Sequence, residues 1–376
     1  MKFNQWTLGL AAVGIVSLAT VAQAEEKSVN SAFAGLTMSG AVETSASINT
    51  ARNGALPGRS FDGADRQDGF NFNSARLTLE KAVSEDQFGA GFRTDFVYGP
   101  DADAFYGGNS PIKQAYVALR APVGNGIDIK MGVFDTPIGY EQFDSGSNPN
   151  FSRSYGFALE PNHHTGVLAS YKVVDALSLS AGVANTDNNF LAEANNAAAK
   201  EGRLAYLATA TITLPEGTGA LQGSTINLGM IREKSPTATV STINYYAGAT
   251  VNTGITGLSV GAAFDQLSHP TAQTAQNELY NLDLRNMWSL AGYVSYAVTE
   301  KLKLNGRYDT FQSRLPEAGQ KDTIVLHSAT LTAQYDIWAN VLTRLEGRWD
   351  TGEDVFGANG TSSDAFTIAA DVIYKF

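Results

Sequence analysis

The chain has 376 residues, with 26 basic and 37 acidic groups, a net charge of -11 and no cysteine. That balance argues against nucleic acid as a partner, because phosphate binding needs a basic surface, and the missing cysteines exclude disulfides and thiolate metal sites. Mean hydropathy is -0.13, and no stretch beyond the N-terminus is apolar enough to span a bilayer as a helix.

At the N-terminus, Lys2 precedes an apolar run from Leu8 to Val21, which ends in Ala22-Gln23-Ala24 and then Glu25-Glu26-Lys27. A basic start, a short apolar run and an A-x-A site predict a secretory signal peptide over 1–24. Position 25 is not cysteine, so no lipoprotein anchor is expected. Without that segment the 26 basic groups become 25 against 37 acids, a net charge of -12. Residues 25–376 then form one domain, too long for a sandwich of about 100 residues and lacking the fixed period of a solenoid.

Alternating segments of about ten residues recur along this domain, the signature of strands with one apolar face. Leu36–Ile48 puts Leu36, Met38, Val42, Ala46 and Ile48 opposite Thr37, Ser39, Glu43, Ser45 and Ser47. Phe88–Tyr98 puts Phe88, Ala90, Phe92, Phe96 and Tyr98 opposite Arg93 and Asp95. Leu204–Leu214 sets Tyr206, Ala208 and Ala210 against Thr209, Thr211 and Thr213. Leu302–Thr310 sets Leu302, Leu304 and Tyr308 against Lys303, Asn305, Arg307 and Asp309. Val341–Trp349 sets Val341, Leu345 and Trp349 against Arg344, Glu346 and Arg348. The chain closes on Phe366, Ile368, Ala370, Val372, Tyr374 and Phe376 at every second position. This last strand resembles the closing strand of bacterial outer-membrane β-barrels, where it is the signal read by the assembly machinery.

Short connections (84–87, 122–126, 174–176, 252–257, 299–301, 337–340) alternate with long polar ones (49–69, 99–111, 135–163, 187–200, 269–283, 314–321, 351–363). Residues 215–223 are long for a turn and 235–238 short for a loop. The expected fold is therefore all-β: an up-and-down antiparallel transmembrane barrel with short periplasmic turns and long external loops. The count is about 16 strands, with 14 or 18 following if one segment is merged or split. A barrel of that size leaves a water-filled lumen.

The longest loop, 135–163, is the candidate constriction. Pro137, Gly139 and Pro149 are turn formers, and Tyr140, Phe143, Phe151, Tyr155 and Phe157 are too apolar for a loop in water. A loop packed against the barrel wall is expected, with Asp135, Glu141, Asp144 and Arg153 setting a charged constriction. The arginines Arg76, Arg93, Arg120, Arg307, Arg344 and Arg348 lie on the polar strand faces, with Asp95. On the lipid face near the midplane each would cost roughly 2–4 kcal/mol, so they belong to the lumen or a rim. They either line the pore or pair with Glu80, Asp95, Asp309 and Glu346. Phe70, Phe72, Tyr98, Trp288, Tyr296, Trp349, Tyr374 and Phe376 read as interfacial girdles.

The run Gly132-Val133-Phe134-Asp135-Thr136-Pro137-Ile138-Gly139-Tyr140-Glu141, with Asn150-Phe151-Ser152-Arg153-Ser154 and His164-Thr165-Gly166-Val167, carries a family likeness. With Gln114–Val117 and Gly124–Gly126, it resembles the OmpL-like β-barrel porins. The motifs cover residues 114–167, and the rest agrees in architecture. The resemblance implies an outer-membrane porin that passes small hydrophilic solutes and ions. It names no solute. Outer-membrane lipid, lipopolysaccharide, the assembly machinery at Phe376 and a homotrimer are the implied partners.

No catalytic arrangement is expected. His163 and His164 adjoin a strand start, His269 and His327 are isolated, and neither Gly-x-Ser-x-Gly nor His-Glu-x-x-His occurs. Asp62, Asp65 and Asp68, and Asp101 with Asp103, are acidic turns; they read as solvated, with Ca²⁺ or lipopolysaccharide binding the other reading. No cofactor or metal is expected. The alternatives are a non-conducting barrel acting as adhesin or receptor through its loops, and a secreted β-rich carbohydrate-binding protein.

Overall fold

In the computed structural model the described residues are 35–50, 68–84, 88–102, 111–185, 204–234, 241–268, 285–314, 323–356 and 362–376. The segment 1–24, the acids Asp62, Asp65 and Asp103, His269 and most of the long connections lie outside them.

Sixteen strands follow in chain order: β1 (Leu36–Asn49), β2 (Gly69–Lys81), β3 (Gly89–Tyr98), β4 (Ile112–Ala121), β5 (Ile127–Asp135), β6 (His163–Val174), β7 (Leu177–Asn185) and β8 (Leu204–Thr213). The second half is β9 (Thr225–Lys234), β10 (Ser241–Asn252), β11 (Leu258–Ser268), β12 (Arg285–Ala297), β13 (Leu302–Arg314), β14 (Thr323–Trp338), β15 (Val341–Phe356) and β16 (Ser362–Lys375). Each pairs antiparallel with its sequence neighbours, and β1 pairs with β16 from Ala41↔Lys375 to Asn49↔Thr367, closing the barrel. Closure leaves no sheet edge, so every strand finds its backbone partners inside the wall.

The alternation in the sequence is the alternation in the wall. Met38, Val42, Leu304, Val372 and Tyr374 are exposed on the outside, while Glu43, Arg307 and Asp371 are buried inside. An apolar outside with charged groups within is the pattern of a membrane barrel. The girdle aromatics Phe70, Tyr98, Tyr296, Trp349 and Phe376 are exposed, as a lipid-facing ring requires.

Two expectations are corrected in detail. The connection 351–363 shrinks, because β15 runs on to Phe356 and β16 begins at Ser362. The interior is also not uniformly polar. Phe134, Leu168, Leu207, Ile231, Tyr246 and Tyr293 form one buried apolar cluster within the barrel, joined by Ile138 and Tyr140 of the β5–β6 loop. Tyr155 and Leu159 of the same loop join Met287, Phe311, Leu326 and Phe356 in a second. The inward wall is apolar where this loop covers it, since a packed surface needs no hydration.

Candidate functional site

The β5–β6 connection, residues 136–162, lies against the inner wall and not in solvent. It contains two short 3₁₀ turns, Ser145–Ser147 and Gly156–Leu159, and no longer regular element. Its backbone polar groups therefore need partners outside itself, and the inward strand residues supply them. Phe151 N–H donates to Glu346 Oε2 (2.6 Å) and Ser152 N–H to Oε1 of the same carboxylate (3.0 Å). Tyr155 N–H donates to Asp309 Oδ2 (2.9 Å), and the Tyr155 hydroxyl to Asp350 Oδ1 (2.8 Å). Arg344 Nη1 donates to the carbonyls of Ser145, Asn148 and Asn150. Asn305 reaches the Pro149 carbonyl and Asn244 the Leu159 carbonyl.

The loop aromatics meet the wall. Tyr140 stacks on Tyr293 with ring centroids 4.2 Å apart, and Tyr155 tilts against Phe311 at 5.9 Å. Phe151 packs on Ala369 beneath the Arg344 guanidinium, and Phe143 joins Val97 and Val133.

Of the four constriction candidates, Glu141 binds Arg307 (2.8 Å) and accepts the Ser154 N–H (2.8 Å). Arg153 turns back into its own loop, donating to the carbonyls of Gln142, Phe151 and Phe143. Burial pulls the Arg153 guanidinium below its ordinary pKa, with the Glu141 carboxylate opposing. Asp135 pairs with Lys113, and Asp144 with Arg76. The four are thus not one ring. Asp135 sits at the wall where the loop leaves it, Glu141 and Arg153 sit inside the loop–wall contact, and Asp144 sits at its edge.

The arginines divide in the same way. Arg307, Arg344 and Arg348 point inward but are 3%, 2% and 1% exposed, so they hold the loop and do not meet open lumen. Asp371 is likewise enclosed, 2% exposed and bound by Arg344. Arg93 bridges Glu80 (3.2 Å) and Asp95 (3.0 Å) across β2 and β3. Arg120 pairs with Asp128 (2.9 Å) and caps the Asn125 carbonyl at the short-turn rim. Arg76 borders a cavity with Glu43, Phe143, Asp144 and Lys375, between the loop edge and the β1–β2–β16 wall. Among the described residues no cluster of three or more His, Cys, Asp or Glu side chains is set to hold a metal.

Beyond the arginines, Glu346, Asp309, Asp350, Asn305 and Asn244 hold the loop. Their inward parity was readable, but what they bind was not, since a strand pattern carries no record of a loop distant in sequence.

The model of the family described as "Putative beta-barrel porin-2, OmpL-like" matches residues 35–376. This chain belongs to that family. The match spans the whole barrel and supports a porin-like channel protein of the outer-membrane type. No curated protein matches the chain. Solved structures share its fold at low identity. OmpF of Salmonella typhi, in complex with daunomycin, is 13% identical with a TM-score of 0.62, covering 91% of this chain and 97% of that one. The outer membrane channel DcaP of Acinetobacter baumannii is 13% identical with a TM-score of 0.61, covering 91% and 97%. The trimer form of OmpT from Vibrio cholerae is 13% identical with a TM-score of 0.60, covering 91% and 99%.

Proposed function

We propose that this protein is an outer-membrane porin for passive diffusion of small hydrophilic solutes and ions, with no enzymatic activity. The observation that carries the reading is a closed barrel of 16 strands whose longest loop is bonded to the inner wall. A wide barrel without such a device would not discriminate solute size. A loop tied to β13–β16 narrows the passage and leaves its edge to border what remains.

The constriction is then set by Asp144 and Arg76, beside Glu43 and Lys375, with Asp135, Glu141 and Arg153 acting mainly by holding the loop in shape. Arg93, Asp95 and Arg120 line the wall away from the loop. The apolar outer face fits outer-membrane lipid, and the rim of long connections fits lipopolysaccharide. A homotrimer is the assembly we infer, by analogy with the trimer form of OmpT. Export requires the segment 1–24 to act as a cleaved signal peptide, and Phe376 to be read by the barrel-assembly machinery.

Planar-bilayer recording tests the reading. The purified protein should give discrete conductance steps, and deleting residues 143–153 should enlarge them and admit larger sugars. A barrel that inserts but conducts nothing would instead be the adhesin or receptor. Equal conductance in the shortened chain would place the size limit elsewhere.

A further inference from the structure

The return leg of the loop, residues 155–162, carries a contact that solute passage does not require. Glu160 on this leg meets Asp265 of β11, carboxyl to carboxyl. Asp265 is 4% exposed. Across the sheet it is flanked by Tyr246 of β10 and Ser289 of β12. Asp265 Oδ1 and the Ser289 hydroxyl are buried without a hydrogen-bond partner among the described residues. Two loop glycines leave room for the pair. A Cβ at Gly139 would strike Glu160 Oε2, and one at Gly156 would strike Asp265 Oδ2.

The titratable groups that act on the pair are acidic or phenolic: Tyr246 on β10 and Glu141 on the outgoing leg. Glu141 is already taken by Arg307. Among the described residues no cationic side chain acts on either carboxyl. Two carboxylates that face each other without a cation between them do not both ionise. One proton between them turns repulsion into a hydrogen bond.

We propose that Glu160 and Asp265 form a proton-binding site that latches the return leg of the loop to the wall, and that losing the proton releases that leg. Burial, and then the neighbouring Asp265 carboxyl, push Glu160 well above the ordinary carboxylate range. The docked leg therefore holds its proton more tightly than the released leg. Docking is complete below the ordinary glutamate pKa of about 4.3 and weakens as pH rises through the raised value in the docked state. A single linked proton changes the docked-to-released ratio by up to about tenfold per pH unit.

The latch is independent of conduction, so its test reads the loop directly. The cysteine-free chain allows single cysteines at Ala158, on the return leg, and at Val123, in an exposed turn. The labelling rate of Ala158→Cys with a charged thiol reagent, divided by that of Val123→Cys, cancels the pH dependence of the thiol. In the folded barrel this ratio should rise by at least about tenfold between pH 5 and pH 9, within the single-proton limit. Glu160→Gln should keep it low and flat, because the carboxamide donates to Asp265 in place of the proton. Infrared difference spectra, parent minus Glu160→Gln and parent minus Asp265→Asn, should each show a protonated-carboxyl band at pH 6 that fades by pH 9. A flat wild-type ratio, an unchanged rise in Glu160→Gln, or difference spectra without that band would overturn the latch. A silent bilayer with this pH response intact would refute the porin and leave the latch standing.

Discussion

Arg307 on β13 and Glu141 on the loop form an ion pair at 2.8 Å in which neither side chain is more than 1% exposed. The pair joins three things at once. Arg307 also donates to the Ser152 carbonyl (2.7 Å) and to Asp309 Oδ1 (3.1 Å), while Glu141 also accepts the Ser154 N–H. Both legs of the loop are therefore fixed to one point on the wall. Breaking a buried pair by removing one partner costs about 3–5 kcal/mol, because a charge is left buried and unpaired. Glu141→Ala should fall near the low end, since Asp309 keeps part of the Arg307 charge compensated. Arg307→Ala should cost more, and the double variant less than the sum. Denaturant unfolding of the reconstituted barrel measures all three, and additive costs would show that the pair is not coupled.

Glu346 holds the loop by a different device. Its two oxygens each accept one backbone N–H, from Phe151 and Ser152, and Oε2 also accepts the Thr332 hydroxyl (2.7 Å). Glu346→Ala leaves two buried N–H groups without acceptors, at about 1–3 kcal/mol each. The loop should then leave the wall while the barrel stays closed. Trypsin should cut after Arg153 in Glu346→Ala and spare the parent, and resistance in both would show that the loop is held elsewhere.

The barrel was legible because lipid imposes a period-two rule on each strand, and the rule needs only local sequence. Leu304 out and Arg307 in follow from parity alone. The ends of β15 were less legible: Asp350–Phe356 is polar and glycine-bearing, and only its pairing partners on β14 and β16 extend it as a strand. The loop's aromatic content announced burial against a wall. It did not say which wall, because Tyr155 and Asp350 are 195 residues apart in sequence. Charge type alone also left the partners open. Glu141 and Arg153 have the composition of a pore ring, and in the fold they meet an inward arginine and three backbone carbonyls.

That placement orders the selectivity effects. Asp144 and Arg76 form an ion pair at the loop edge, beside Lys375, whose ammonium donates to the Gly146 carbonyl (2.7 Å). Charges bordering a passage act on permeating ions directly, while charges enclosed by protein act at longer range. Asp144→Asn should shift reversal potentials toward anions and Arg76→Gln toward cations. Glu141→Gln and Arg153→Ala should move them in the same respective directions but by less. A larger shift from Glu141→Gln than from Asp144→Asn would place the passage on the other side of the loop.

Val372 tests the facing of the closing strand. It is 47% exposed on the outer surface, between inward Asp371 and Ile373. Val372→Arg puts a guanidinium against lipid and should destabilise the barrel by about 2–4 kcal/mol if it lies near the midplane, and by less toward a rim. Cysteine at 372 should react with hydrophilic reagents far more slowly than cysteine at Val123. Equal rates would mean that residue 372 does not face lipid.

Phe376 completes the seam. Its N–H donates to the Gly40 carbonyl (3.0 Å) and its carbonyl accepts the Gly40 N–H (2.9 Å), so the final residue supplies the outermost rung between β16 and β1. Its ring lies over Gly40, where a Cβ would collide with it, and stacks on Tyr374 with centroids 6.2 Å apart. The ring is half exposed, so the folded wall draws only part of its stability from it. Phe376→Ser keeps both backbone bonds and loses the ring. The variant should therefore be exported and refold in detergent with little loss of stability. It should reach the outer membrane in reduced amount, measured as heat-modifiable barrel in that fraction. Normal outer-membrane levels would show that the terminal ring is not a recognition signal. A variant that also fails to refold in detergent would show that the ring holds the seam itself.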